Sequence, residues 1–183
     1  MRKIVATEYV TLDGVMDEPG VWSGPFFNDE AIKFKYDELF ASDALLLGRV
    51  TYEGFAKAWP TMEGTGDFGE RMNGMPKYVV STTLQNPEWT NTHVISANVV
   101  EEVSKLKEEP GQDLLLAGSG KLFHTLMERD LVDEYRLMLH PIVLGSGKKL
   151  FEDENQTKTL KLVEAKPFTS GIVILTYHPA ERE

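Results

Sequence analysis

The stretch Leu115–Leu126 has the sequence LLAGSGKLFHTL and joins two kinds of local structure. Its first residues end an apolar run that is typical of a buried strand, and Lys121–Arg129 has the spacing of an amphipathic helix. Gly118-Ser119-Gly120 lies between them, and small residues allow the tight turn that this change of direction needs. Because a strand that leads directly into a helix is the unit of parallel α/β sheets, the stretch predicts an α/β fold.

A second junction of the same kind lies earlier in the chain. The apolar run at residues 44–47 breaks at Gly48-Arg49, and we expect Thr51 to cap the helix that follows. The pattern also predicts strands at residues 3–10, 78–80, 93–95 and 114–117, helices at 31–40 and 98–109, and a loop at 62–74. The end of the chain is strand-rich, with strands expected at residues 132–139, 159–165 and 172–178.

This order of elements predicts the architecture of the sheet. Alternating strands and helices favour a mostly parallel sheet with helices on both faces, and the last strands favour an antiparallel edge. The length of 183 residues is typical of a single domain, which we expect to span residues 1–183. Ligands of such sheets bind at the carboxyl ends of the strands, so the two junctions are the first candidates for a site.

Composition narrows the class of protein. The net charge of −10 argues against nucleic acid or an anionic membrane as the partner, so any bound anion must be held by local groups. The absence of cysteine excludes disulfides and thiolate chemistry. The amino terminus lacks the apolar core of a signal peptide, and no run approaches the length of a membrane span. We therefore expect a cytoplasmic protein whose partner is a small molecule.

The glycine-rich turn at residues 118–120 matches none of three familiar motifs. A Walker loop would need glycine at 115 and a hydroxyl at 122, but leucine stands at both positions. The dinucleotide fingerprint needs glycine where Phe123 stands, and the hydrolase elbow needs glycine where Ala117 stands. Small residues before a helix amino terminus still favour an anion. A tight turn without a ligand is the alternative.

The ordered set of motifs resembles a known superfamily. Gly48-Arg49-Val50-Thr51-Tyr52-Glu53 resembles the G-R-x-T-[aromatic]-E motif of dihydrofolate reductases. Residues 77–83 and 118–120 resemble the strand with its Ser/Thr turn and the glycine turn that follow it. Residues 11–14 (TLDG), 132–134 (VDE) and 140–151 (HPIVLGSGKKLF) look like segments of the riboflavin-biosynthesis reductase, or RibD C-terminal, domain.

The resemblance implies a fold and an activity. The fold would be the three-layer dihydrofolate reductase-like fold, and the activity would be reduction by NADPH of a C=N or C=O in a small, pteridine- or pyrimidine-like heterocycle. The reduction of a riboflavin precursor, 5-amino-6-(5-phosphoribosylamino)uracil, or of dihydrofolate would fit. A non-catalytic NADPH-binding module is the alternative. Related domains imply a homodimer through the carboxyl-terminal strands.

The resemblance also assigns candidate cofactor residues at the two junctions and at the Ser/Thr turn. Each has an alternative role: an ion pair for Arg49, a helix cap for Thr51, a polar turn for Ser81 and its neighbours, and solvation for Lys121. The candidates for binding NADPH are Gly48, Arg49, Thr51, Ser81, Thr82, Thr83, Gly118, Ser119, Gly120 and Lys121.

The substrate side has fewer candidates. Asp13, in a glycine-containing loop, is the candidate catalytic and substrate-binding carboxylate, although a turn-forming role is an equal alternative. Trp22 begins a W-x-x-P segment like that of dihydrofolate reductases, and Glu30 is the acidic residue that follows it after an insertion. The four histidines lack metal-ligand spacing, so we expect no metal site, although His140 could reach a pocket. The second GSGK, at residues 145–148, has no long helix after it and predicts a loop.

Overall fold

The computed structural model describes residues 1–153 and 156–180. The sequence Asn155-Gln156-Thr157, an acceptor pattern for glycosylation that we interpret as accidental, begins outside these residues. The strands are β1 (Ile4–Thr11), β2 (Ser42–Gly48), β3 (Lys77–Val80), β4 (Thr92–Ile95), β5 (Asp113–Leu116), β6 (Glu134–His140), β7 (Leu160–Pro167) and β8 (Val173–Pro179). The helices are α1 (Pro19–Trp22), α2 (Asp29–Phe40), α3 (Arg49–Ala58), α4 (Gly66–Gly74), α5 (Val99–Glu108) and α6 (Gly120–Glu128).

The strands form one sheet in the order β4-β3-β2-β5-β1-β6-β8-β7. The pairs from β4 across to β6 are parallel, whereas β8 runs antiparallel to β6 and β7 runs antiparallel to β8. The predicted parallel sheet with an antiparallel carboxyl-terminal edge is therefore confirmed.

Helices cover both faces of the sheet and give the three layers predicted from the sequence. On one face, α5 and α6 pack through residues such as Val103 and Phe123 against Leu116 and its neighbours. On the other face, α2, α3 and α4 pack through Leu39, Tyr52 and other apolar residues. The central strands are buried on both sides, which explains why their sequences read as continuous apolar runs.

The loop expected at residues 62–74 is wrong, because the structure has helix α4 there. Its glycines disfavour a helix, but Met72 is buried against the sheet and Phe68 packs 5.4 Å from the ring of Trp59. Helices of this length depend on tertiary packing for stability, and here packing outweighs intrinsic propensity. No helix among the described residues is long and apolar enough to cross a membrane.

Candidate functional site

The two junctions predicted from the sequence meet at the carboxyl ends of the neighbouring strands β2 and β5. The backbone N–H of Gly48 donates to the carbonyl oxygen of Gly118 at 2.8 Å. Helix α3 follows β2 onto one face of the sheet, and α6 follows β5 onto the other. A crevice forms where neighbouring strands send their helices to opposite faces, and it is the usual ligand position in open α/β sheets.

Glycine is needed at both junctions because the two turns lie directly against each other. A Cβ atom at Gly48 would lie 2.2 Å from Oγ and 2.9 Å from the backbone nitrogen of Ser119. Gly118 has a φ of +106°, which favours glycine, and a Cβ there would lie 2.8 Å from Oγ1 of Thr51. The Gly118–Ser119 peptide bond is cis. The floor of the crevice is therefore closely packed backbone.

Two helix amino termini adjoin this floor. Helix α6 has a side-chain cap, since Oγ of Ser119 accepts a hydrogen bond from the backbone nitrogen of Leu122. Helix α3 begins at Arg49, and its cap residue Gly48 has no side chain that could accept one. The prediction that Thr51 caps α3 is wrong, because β2 extends to Gly48 and the helix starts at once. The first N–H groups of α3 favour a bound anion.

The candidate cations beside the crevice are accessible to solvent. Nη1 of Arg49 lies 3.2 and 3.3 Å from the two carboxylate oxygens of Glu53, so the ion-pair alternative for Arg49 is present. Both side chains are about half exposed, and such pairs contribute little stability, which leaves the guanidinium available to a phosphate. Lys121 is exposed and forms no ion pair with a described residue.

The Ser/Thr turn follows β3 on the same edge of the sheet, since Val80 pairs in register with Gly48. Oγ of Ser81 accepts hydrogen bonds from the backbone nitrogens two and three residues ahead, at 3.2 and 2.9 Å. Ser81 thus forms the polar turn that was its alternative role. The side chains of Thr82 and Thr83 are exposed and remain the better candidates for direct contact with a ligand.

The Asp13 loop is held by the loop that contains the second GSGK. The Asp13 carboxylate accepts hydrogen bonds from Oγ1 of Thr11 at 2.6 Å and from the backbone nitrogens of Leu144 and Gly145 at 3.2 and 2.8 Å. The Thr11 hydroxyl and these backbone groups lower the pKa of Asp13 to about 2. Asp13 is therefore a carboxylate that joins two loops, a role that suits hydrogen-bond acceptance better than proton donation.

The second GSGK loop, at residues 145–148, places Lys148 beside the first GSGK segment, at residues 118–121. The backbone nitrogen of Met16 donates to the carbonyl of Lys148 at 2.8 Å, and Val15 forms a bridge with Lys149. In this position, Cε of Lys148 lies 3.7 Å from where a Cβ of Gly120 would be. The loop prediction for this segment agrees with the structure, and Lys148, which is absent from the sequence-based candidates, joins them at the start of α6.

Aromatic side chains form a cluster on the α2 face of the sheet. Trp22 is buried, and its Nε1 donates to the carbonyl of Asp17 at 2.7 Å. Its ring lies 5.0 Å from the ring of His140, edge to face, and Tyr9 and Phe26 contact the same imidazole. We call these four residues, Tyr9, Trp22, Phe26 and His140, the aromatic box.

The carboxylate of Glu30 forms hydrogen bonds outside the aromatic box. Its carboxylate accepts hydrogen bonds from the backbone nitrogen and Oγ1 of Thr169 at 2.8 and 2.5 Å, and these bonds lower its pKa. Glu30 thus joins the first turn of α2 to the turn between β7 and β8. Its predicted contact with substrate stays a prediction.

Comparison with known proteins identifies the family. Residues 2–174 match the model of the RibD C-terminal domain. The chain belongs to this family. The uncharacterized protein YyaP of Bacillus subtilis (strain 168) is 36% identical over 180 residues, which cover 97% of this chain and 95% of YyaP.

Two solved structures share the fold of this RibD C-terminal domain. A candidate riboflavin biosynthesis protein from Shewanella sp. PV-4 has a TM-score of 0.79 at 18% identity, covering 98% of this chain and 99% of that one. Dihydrofolate reductase from Enterococcus faecalis, complexed with NADP(H), has a TM-score of 0.67 at 16% identity, covering 98% and 97%. The dihydrofolate reductase-like fold predicted from the sequence is confirmed.

Sequence reasoning missed a buried acid in this RibD C-terminal domain. Glu8 is 5% exposed in the central strand β1, and its Oε1 has no hydrogen-bond partner among the described residues. Burial raises the pKa of Glu8 to about 8, and the charge of Lys35 opposes the shift only in part. A single acid within an apolar strand sequence was the available signal. Its carboxyl group is mostly protonated at neutral pH.

Two cavities of the protein lie away from the candidate site. These cavities, of about 550 and 720 Å³, lie beside α3 and α4, and both include Pro60, Asn73 and Thr90. None of the cofactor or substrate candidates lines either of them. The described residues also contain no cluster of three or more acidic or histidine side chains suited to a metal ion.

Proposed function

We propose that this RibD C-terminal domain is an NADPH-dependent reductase of a small heterocyclic substrate. The observation that carries the proposal is the direct contact of the two glycine junctions, Gly48 with Gly118, where α3 and α6 diverge to opposite faces. This arrangement suits a dinucleotide, whose backbone phosphates need close approach and N–H donors. The same fold holds NADP(H) in the reductase of Enterococcus faecalis.

The chain has the groups that a dinucleotide phosphate needs. The start of α3 lacks a side-chain cap, and Lys121 and Lys148 both lie at the start of α6. Arg49 with the exposed hydroxyls of Thr82 and Thr83 supports a site for the 2′-phosphate, since a guanidinium fork suits phosphate oxygens. We infer that these residues hold NADPH, which supplies the hydride.

The substrate would lie between the Asp13 loop and the aromatic box. Flat aromatic side chains suit a heterocycle such as a pyrimidine or a pteridine. Asp13 remains our candidate among the acidic side chains, as an acceptor for a polar group of the substrate. Its lowered pKa favours water as the source of the proton that accompanies hydride transfer.

The test is NADPH binding followed by NADPH oxidation with two substrates of this class. We expect the protein to bind NADPH and to oxidise it with 5-amino-6-(5-phosphoribosylamino)uracil or with dihydrofolate. Binding without turnover of either compound would favour the alternative, a non-catalytic NADPH-binding module. Failure to bind NADPH at all would contradict both proposals.

We also propose that the protein is a homodimer that pairs through its carboxyl-terminal sheet face. Apolar side chains of β6, β8 and β7 lie in register on the face that α6 leaves partly uncovered, namely Leu137, Leu139, Leu162, Val173, Leu175 and Tyr177. Leu162 is 51% exposed on the edge strand β7. An uncovered edge strand with apolar neighbours favours association.

A further inference from the structure

One ring nitrogen of His140 makes no hydrogen bond with any residue that the structure describes. The side chain is fully buried at the carboxyl end of β6. Its Nδ1 lies 2.8 Å from the carbonyl oxygen of Met138, which can only accept, so Nδ1 carries the hydrogen. Nε2 is then a hydrogen-bond acceptor, and it is buried without a partner among the described residues. Buried polar atoms in proteins are nearly always paired, so an unpaired one needs an explanation.

The imidazole of His140 is surrounded mainly by aromatic rings, and the backbone carbonyl of Val10 also lies beside it. The rings of Tyr9, Trp22 and Phe26 have their centroids 5.5, 5.0 and 6.1 Å from that of His140. Tyr9 and Phe26 are themselves partly exposed, so the aromatic box reaches the protein surface. Burial lowers the pKa of His140, although the backbone carbonyls of Met138 and Val10 oppose the shift, and the lowered pKa favours a neutral ring.

The aromatic box adjoins the loop that sequence reasoning assigned to the substrate. His140 pairs in register with Thr11, whose hydroxyl donates to Asp13. Trp22, another sequence-based candidate for substrate binding, packs on the imidazole. An acceptor at this place would recognise a hydrogen-bond donor on the substrate.

We propose that His140 determines substrate specificity by accepting, through Nε2, a hydrogen bond from a ring N–H of a neutral planar heterocycle. The proposal rests on the reductase function proposed above and names His140 as the residue that recognises the ring N–H beside C=O in a lactam-type substrate. Aromatic neighbours stack on such a ring, and a neutral imidazole matches an N–H donor but rejects an N-methyl group.

Two substitutions separate binding from structure. In His140→Asn, the amide nitrogen replaces Nδ1 and can still donate to Met138, but no atom replaces Nε2. In His140→Gln, the longer side chain brings its amide oxygen near the position of Nε2 and gives up the bond to Met138. A structural role predicts that asparagine is the milder change, whereas ligand recognition predicts that glutamine is. His93→Asn, at an exposed position of β4, is the control.

The probes are lumazine, a fused pyrimidine-2,4-dione with ring N–H groups, and 1,3-dimethyllumazine, which has the same rings without them. Binding is measured by tryptophan fluorescence with and without NADPH, and unfolding by circular dichroism. In the unsubstituted protein, the ¹⁵N resonance of His140 Nε2 reports directly whether this atom accepts a hydrogen bond.

We expect lumazine to bind about tenfold more tightly than its dimethyl analogue, to lose about that factor in His140→Asn and to retain most of its affinity in His140→Gln. Lumazine should also shift the Nε2 resonance. Equal binding of the two probes, an unshifted Nε2 resonance or no binding of lumazine would each overturn the proposal. NADPH binding tests the proposed reductase function separately. Lumazine binding without NADPH binding would contradict that function but not the role of His140.

Discussion

Replacing Gly48 by alanine tests whether the two junctions touch as the structure describes. The backbone of Gly48 has a φ of −78°, which alanine adopts without strain, so the effect of the change is steric. The new Cβ would lie 2.2 Å from Oγ, 2.8 Å from Cβ and 2.9 Å from the backbone nitrogen of Ser119. Rotation of the Ser119 hydroxyl removes the first clash. The other two require the turn itself to move.

The expected loss of stability follows from how far the turn must move. Ordinary contact begins near 3.4 Å, so the backbone of Ser119 must shift by about 0.5 Å, and overpacking of this kind costs about 1–3 kcal/mol. We expect Gly48→Ala to lower the free energy of unfolding by that amount in urea titrations and to weaken NADPH binding. Adding Ser119→Gly removes two of the three contacts, so the double variant should be more stable than the sum of the single changes indicates.

Gly54→Ala is the matched control, because Gly54 lies within α3, the helix that follows Gly48, and nothing lies within 4 Å of its Cβ position. Gly54→Ala should leave NADPH binding unchanged and stabilise the helix by about 0.5–1 kcal/mol. If Gly48→Ala were as stable as the control and bound NADPH equally well, the contact between the junctions would be refuted.

Three further predictions follow from other residues. Arg49→Ala should weaken NADPH binding by about 1.5–3 kcal/mol in calorimetry and reduce the preference for NADPH over NADH. Glu53→Gln, which frees the guanidinium, should neither weaken NADPH binding nor reduce that preference. Equal affinity of the unsubstituted protein for NADPH and NADH would show that this region does not bind the 2′-phosphate. Glu8 holds its proton up to about pH 8 in the folded protein but releases it near pH 4.3 in the unfolded chain. Its contribution to the free energy of unfolding is therefore full at low pH and falls, between about pH 4.3 and 8, by up to about 1.4 kcal/mol per pH unit. Glu8→Gln should flatten that slope in denaturation curves recorded from pH 5 to 8, and an unchanged slope would show that Glu8 is ionised in the folded protein. Leu162→Lys should convert a dimer into a monomer by light scattering, and a monomeric unsubstituted protein would contradict the dimer proposal.

The sheet and the two junctions were predictable because their signals are local. The strand at residues 44–47 and the strand before Gly118 are short apolar runs that end in glycine, and each is followed directly by helical spacing. Once a parallel sheet is inferred, the carboxyl ends of its strands must share one edge. To predict that Gly48 and Gly118 meet, one further fact is needed, the strand order, in which β2 and β5 are neighbours.

Other parts of the site depend on contacts that no local pattern contains. Lys148 lies beside Gly120 only because the loop at residues 145–150 pairs with the Asp13 loop, more than a hundred residues earlier. The sequence also does not reveal that Nε2 of His140 lacks a hydrogen-bond partner among the described residues, since this depends on which groups the fold places around the ring. Helix α4 was missed for a related reason: its glycines obscured a helix that tertiary packing stabilises.

The net charge of the protein and the charges beside the crevice have opposite effects on an anionic ligand. A chain with a net charge of −10 repels a polyanion at long range, but that repulsion is screened within about 8–10 Å at physiological salt. The groups beside the crevice include the start of α3 without a side-chain cap, the half-exposed guanidinium of Arg49, and Lys121 and Lys148 at the start of α6. These groups would act at contact distance, where screening is weak, so the acidic net charge is compatible with the anionic cofactor that we propose.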